Sequence, residues 1–249
     1  MTNLRIGIGL SFYQDFDSLN RMLQSLQQYP IDHIIAVDGK YKGHTAKQAL
    51  SDDSVRDLFK SFQIPYSLYD DGANLSQIDK RQIYFDKAQT LRLDIIIVMD
   101  SDEYIVHNKT NWTLFIDELE GHISMNKSTY IQGYTIPLCI NHKRYAKVPD
   151  YTINSARVFH RPSELVYVDN HFTIRNKKSG INMGYQTHAT KLNNLFLATD
   201  HKLRDKDYME QHDLYEDYQV TTEETPEAIR SRVDAFIKQR ESLQVEQHV

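Results

Sequence analysis

The stretch Asp100-Ser101-Asp102-Glu103 places three carboxylates in four residues, directly behind Ile95-Ile96-Ile97-Val98-Met99. Asp-x-Asp spacing lets two carboxylates reach one hard cation when a strand gives way to a turn. Oxygen donors of this kind suit Mg2+ or Mn2+, which keep positions open for water and phosphate oxygens. A cation held there joins the chain to a diphosphate and stabilises charge on a departing nucleotide. Charges of one sign packed so closely call for an offsetting cation. The alternative is a solvated acidic turn that caps the following helix.

The apolar run before the aspartates suits a strand buried on both faces, as inside a parallel sheet. Elements that fit such a sheet precede it. Residues 4–10 and 32–39 read as strands, the second ending in Asp38-Gly39, and 66–70 as a third. Residues 17–29 carry Leu19, Met22, Leu23 and Leu26 at helical spacing and stop at Pro30. Residues 52–62 place Val55, Leu58, Phe59 and Phe62 on one helical side, and Ser76 caps a helix running to Thr90. This alternation predicts parallel strands with crossover helices. Ligands of an open parallel sheet sit beyond the carboxyl ends of its strands, so Asp38 and the Asp100–Asp102 pair face one crevice.

After Glu103 the character changes. Residues 110–121 predict one more helix, and 129–190 are strand-like with turns. Helical signals return from Asp205, and Thr225 with Pro226 opens a helix over 225–243. The expected fold class is α/β: a Rossmann-like, mostly parallel sheet flanked by helices, with a mixed α+β second half. One domain is expected, divided into 1–105, 106–204 and 205–249.

Bulk properties narrow the function. The chain has 249 residues, 40% hydrophobic and 25% charged, with a net charge of −5 that argues against general nucleic-acid binding. The N-terminus lacks a basic segment followed by a long apolar one, and no apolar run is long enough to span a membrane. The single Cys139 excludes an internal disulfide and a cysteine-based zinc site. A cytoplasmic protein is expected, with peripheral membrane contact allowed. The Asn-x-Ser/Thr triplets at Asn74, Asn108, Asn111 and Asn126 would matter only in a secreted chain.

Five segments in order resemble the nucleotide-sugar glycosyltransferases of the GT-A fold, glycosyltransferase family 2. Its branch with an Asp-x-Asp-Glu motif, which includes lipopolysaccharide-core glucosyltransferase-like proteins, looks most similar. The segments are IGLSFYQD (8–15), IIAVDGKYKGHT (34–45), VMDSDEYI (98–105), ARVFHRPSELVYVDNHF (156–172) and TDHKLRDKDYMEQHDLY (199–215). The third matches the metal motif, the fourth an Arg-x-Phe segment and following His (Arg157, Phe159, His171), and the fifth a late His (His201). The sequence departs from the pattern where Gly39-Lys40-Tyr41 follows Asp38, and where Phe172 follows His171.

The resemblance implies a transferase moving a sugar from a UDP- or GDP-linked donor to a hydroxyl of a glycan, lipid-linked or other acceptor, in glycan or cell-surface polysaccharide synthesis. It implies Mn2+ or Mg2+ on Asp100, Asp102 and His201. It implies nucleotide-sugar contacts at Ser11, Tyr13, Asp38, Lys80, Arg81, Asp100, Ser101 and Lys202, with Arg204 beside them. Lys80 and Arg81 also read as surface charges of an amphipathic helix. An inverting transfer needs a carboxylate to take the acceptor proton. Asp150, Glu164 and Asp169 are candidates, with Asp169 favoured for its place near His171, and Glu103 stands close enough to orient a ligand or the acceptor.

Three other readings compete. Gly7-Ile8-Gly9 with Asp38 imitates part of a dinucleotide fingerprint, but position 12 is Phe and the glycines lie inside the strand, not in the turn after it. A nucleotidyltransferase would carry a Gly-rich basic loop after the first strand, where this chain has SFYQDFDS. A non-catalytic binding protein on the same fold would have no reason to keep two buried carboxylates without a ligand.

Overall fold

The strand Ile6–Phe12 (β1) is buried at every position and forms the spine of the protein. In this computed structural model the described residues are 4–44, 46–125, 133–140, 152–168, 173–180, 182–183 and 190–199. All belong to one compact unit. β1 pairs in parallel with His33–Asp38 (β2) on one side and Ile95–Asp100 (β4) on the other, and Tyr66–Tyr69 (β3) extends the sheet beyond β2. The crossovers carry helices Phe16–Leu26 (α1), Asp53–Arg56 (α2, prolonged as a tighter turn through Ser61) and Gln77–Thr90 (α3). Ser76 caps α3 as expected, its Oγ accepting the Asp79 N–H at 3.2 Å.

Beyond β4 the chain forms Glu103–Ile105 (β5), helix Trp112–Met125 (α4), Gly133–Ile140 (β6), Thr152–His160 (β7), Leu165–Tyr167 (β8), Ile174–Asn176 (β9), Asn182–Met183 (β10), Thr190–Lys191 (β11) and Leu197–Thr199 (β12). The large sheet runs β3-β2-β1-β4-β7-β6-β12-β5, with β11 also on β6. β7 is antiparallel to both β4 and β6, and β5 is antiparallel to β12. Most pairings are parallel, so the mixed, mostly parallel α/β architecture is as expected. The sheet curls: β5 pairs at its far edge, yet begins only a two-residue turn after β4 ends.

Alternation along the strands sends side chains to two cores. Ile6, Ile8, Leu10, Ile95, Ile97 and Met99 meet α1 and α4, whereas Ile96 and Val98 meet Tyr84, Phe85 and Ala88 of α3. A small antiparallel sheet, β8-β9-β10, packs on the α3 side through Leu165, Tyr167 and Ile174. Among the described residues no helix is long and apolar enough to cross a membrane. The helix expected over 225–243 lies outside the described residues.

Candidate functional site

Strand register builds the site. Ser11 stands beside Asp100 across β1 and β4, and Phe12 stands beside Asp38 across β1 and β2. The carboxyl ends of three parallel strands therefore meet at one edge, where Asp38 and the Asp-x-Asp turn were expected to face one crevice. Their side chains leave on opposite faces of the sheet. Asp100 follows Ile96 and Val98 toward α3, whereas Asp38 turns toward α2.

Asp38 is fully buried. Its oxygens accept the Ser51 N–H (3.1 Å) and Ser51 Oγ (2.6 Å), and Arg56 Nε lies 3.6 Å away. Burial raises its pKa, against the lowering effect of the Ser51 hydrogen bonds. Asp38 ties residue 51 to the end of β2. Glycine suits position 39, where φ is +132° and a Cβ would fall 2.5 Å from the Ala73 nitrogen.

Lys80 and Arg81 are not surface charges, since both are buried. Lys80 Nζ donates to the Gly39 carbonyl and sits 3.8 Å from the centre of the Tyr41 ring. Burial pushes its pKa down to about 7, with Asp38 pulling the other way. Its amine holds the exit of β2. Tyr41 and Ser11 share a hydrogen bond of 3.0 Å, so Ser11 too is engaged inside the protein. Tyr13 donates its hydroxyl to the Gln48 carbonyl at 2.9 Å, and Ser101 donates to Asp15 Oδ2 at 2.9 Å.

The acidic turn is neutralised from within. Arg81 Nη2 meets Asp100 Oδ1 at 2.8 Å, and Arg157 Nη2 meets Asp100 Oδ2 at 3.2 Å. Arg157 also pairs with Glu103, whose other oxygen accepts the Asp100 N–H at 3.0 Å. Burial raises the Glu103 pKa, with Arg157 opposing. Glu103 is thus a buried brace between β4, its turn and β7. The Tyr167 hydroxyl reaches Arg81, while its ring stacks on Phe85 at 4.9 Å. The offsetting cation that the sequence demanded is, at Asp100, a pair of arginines.

A hard divalent cation needs carboxylate oxygens whose charge is not already taken up. By that test Asp100, engaged by two arginines, fits poorly; Asp102 is half-buried in the turn beside it. Among the described residues no three His, Cys, Asp or Glu side chains converge into a cation cage. Glu164 stands apart from the site. It follows His160, which pairs with Ile95 at the amino end of β4, and it is bound by Lys178 at 2.6 Å. Asp150, Asp169, His171, His201, Lys202 and Arg204 lie outside the described residues.

Sequence reading gave no role to Tyr41, Ser51, Tyr84 or Tyr167, and took Arg157 only as part of a motif. The available signal for Arg157 was its alternation with Val158 in a strand-like run, which puts a charge opposite an apolar neighbour.

No family model matches the sequence, and no curated protein matches it. Solved structures that match include S. aureus TarS residues 1–349, at 11% identity over 84% of this chain and 63% of that one, with a TM-score of 0.45. The same protein in complex with UDP-GlcNAc matches at 10% identity over 80% and 59%, also with a TM-score of 0.45. A cytidylyltransferase from Leptospira borgpetersenii serovar Hardjo-bovis matches at 16% identity over 65% and 61%, with a TM-score of 0.34. The chain spans less than two thirds of the length of each of these structures. Likeness at this level identifies neither a family nor an activity.

Proposed function

We propose that this chain transfers a sugar from a UDP- or GDP-linked donor to an acceptor hydroxyl, in glycan or cell-surface polysaccharide synthesis. The observation that carries the reading is the register that sets Ser11 beside Asp100 and Phe12 beside Asp38. It gathers the Asp-x-Asp turn and the exits of β1 and β2 at the carboxyl edge of a parallel sheet, where such sheets hold nucleotides. A Mn2+ or Mg2+ ion at Asp102, with His201 as a further ligand, would stabilise charge on the departing diphosphate. Asp100 and Ser101 shape the floor beneath that diphosphate, and Lys202 adds charge beside it. Residues 106–204 supply the acceptor side, with Asp169 taking the acceptor proton.

The test is a thermal-shift panel of UDP, GDP and CMP, with and without Mn2+, on wild type and Asp102→Asn. A ligand bound only to the native state raises the melting temperature by mass action. A metal-dependent shift with one nucleotide, lost in the variant, supports the reading and names the donor class. No shift with any of the three points instead to a protein that binds something else on this fold.

A further inference from the structure

We infer that Lys80 is a proton-operated latch on the segment 39–42, which seats Tyr41 against the exit of β1. The uncharged amine keeps the segment closed, and protonation lets it swing out. The latch governs access to the carboxyl edge of the sheet whatever ligand binds there, and so stands independently of the transferase reading.

The geometry is specific. Lys80 Nζ donates to the Gly39 carbonyl and sits 3.8 Å from the centre of the Tyr41 ring. The Tyr41 hydroxyl shares its 3.0 Å hydrogen bond with Ser11 Oγ, and Ser11 stands beside Asp100 across β1 and β4. The segment is also joined to the loop before α3. The Lys42 N–H donates to the Leu75 carbonyl at 3.0 Å, and the Asn74 N–H to the Lys40 carbonyl at 2.8 Å. None of residues 39–42 belongs to either hydrophobic core, so the segment can leave without unpacking the sheet.

A buried ammonium needs an acceptor for each of its N–H groups. Lys80 is fully buried, and one carbonyl and one aromatic face stand in for the water it has lost. Asp38 attracts the ammonium from β2 but is itself engaged by Ser51 and Arg56. Other charged groups near α3 are turned elsewhere. On the helix itself, Asp79 bonds Ser76, Arg81 pairs with Asp100 of β4, and Tyr84 bonds Ser11. Tyr167 of β8 faces Arg81, Glu164 of the turn 162–164 is held by Lys178, and β1 has no titratable side chain. Burial therefore prevails and lowers the Lys80 pKa to about 7. When the segment swings out, water reaches the amine and its pKa returns toward the ordinary 10.5. Opening takes up a proton between those values, so the open population falls about tenfold for each pH unit across the window. Below the window both forms carry the proton, and the latch is at its loosest.

Amide hydrogen exchange on the full chain, with no nucleotide present, tests the latch. The amides to follow are those of Lys42 and Asn74, with the amides of β1 as the measure of global opening. Where closing outruns exchange, the chemical rate rises about tenfold per pH unit while the open fraction falls by the same factor. In wild type the two should cancel. The Lys42 and Asn74 rates should then stay nearly level from about pH 7.5 to about pH 9, and remain faster than those of β1. In Lys80→Met no proton is taken up at this position, so the same rates should rise about tenfold per pH unit. An equal rise in wild type overturns the inference, as does exchange of Lys42 and Asn74 no faster than that of β1. Where Lys80→Met does not fold, NMR of wild type with isotope-labelled lysine decides. One lysine should titrate at about 7, together with the Gly39 and Tyr41 amide signals. Lysines that all titrate near the ordinary 10.5 overturn the inference.

Discussion

The ring of Tyr84 occupies the space that a side chain on Gly9 would need: a Cβ built at Gly9 falls 2.7 Å from Tyr84 Cγ. Tyr84 is fully buried, as is the strand beneath it. Its hydroxyl bonds Ser11 on the same strand, so α3 lies low over β1. Arg81 precedes Tyr84 by three residues, and this close packing is what brings its guanidinium onto Asp100. Of the two glycines that imitated a dinucleotide fingerprint, Gly9 makes room for helix–sheet contact, whereas a Cβ at Gly7 would fall 2.5 Å from Leu93 Cδ1.

Gly9→Ala should accordingly destabilise the protein by about 1–3 kcal/mol, the usual cost of overpacking a filled core. For a chain of this size that lowers the melting temperature by about 2–4 °C for each kcal/mol. Differential scanning calorimetry reads the change, and an unaltered melt would mean that Tyr84 can shift aside without loss.

Arg157→Met removes the partner of Glu103 and one partner of Asp100. Breaking a buried pair from one side costs about 3–5 kcal/mol, because the charge left behind has no compensation. Adding Glu103→Met should restore a good part of the loss. Urea midpoints of the two variants make the comparison, and a double variant no better than the single one would show that Glu103 is not the group Arg157 neutralises.

Lys80 gives a pH signature. Its pKa is about 7 in the folded chain against 10.5 for an ordinary lysine, so the unfolded chain holds the extra proton between those values. Stability should therefore rise as pH increases from about 7 toward 10.5, and the penalty for a buried ammonium is present in full below that window. Lys80→Met should flatten this rise. Melting temperatures across the window test the claim, and identical slopes in the two proteins would exclude Lys80 as their source.

Asp38 and Ser51 should behave as one unit. If Asp38 is a pin for the chain at Ser51, Asp38→Asn, Ser51→Ala and the double variant should form a non-additive cycle with a coupling of about 0.5–3 kcal/mol. Additive effects would show that the hydrogen bonds between them contribute nothing to stability.

Much of the framework is legible along the chain because its signals are local. Five apolar residues in a row specify a strand buried on both faces, Ser76 specifies a helix start, and alternation with crossover helices specifies parallel pairing. Carboxylates at strand ends then follow from the order of elements, so the shared edge of Asp38 and Asp100 needed no contact information. The helix expected over 52–62 begins as an α-helix and tightens after Arg56, a difference that side-chain spacing alone cannot register.

What the sequence determined by itself was which residue types arrive at the carboxyl edge of the sheet. What only the tertiary structure decided was how their charges are spent. Burial of Lys80 and Arg81, the turn of Asp38 toward Ser51, and the meeting of Arg157 with Asp100 all depend on which strand lies beside which. The insertion of β7 next to β4 brings a cation from far along the chain to an acidic turn. A periodic pattern carries no information about that neighbour, because charge compensation is set by distance in space and not by spacing in sequence.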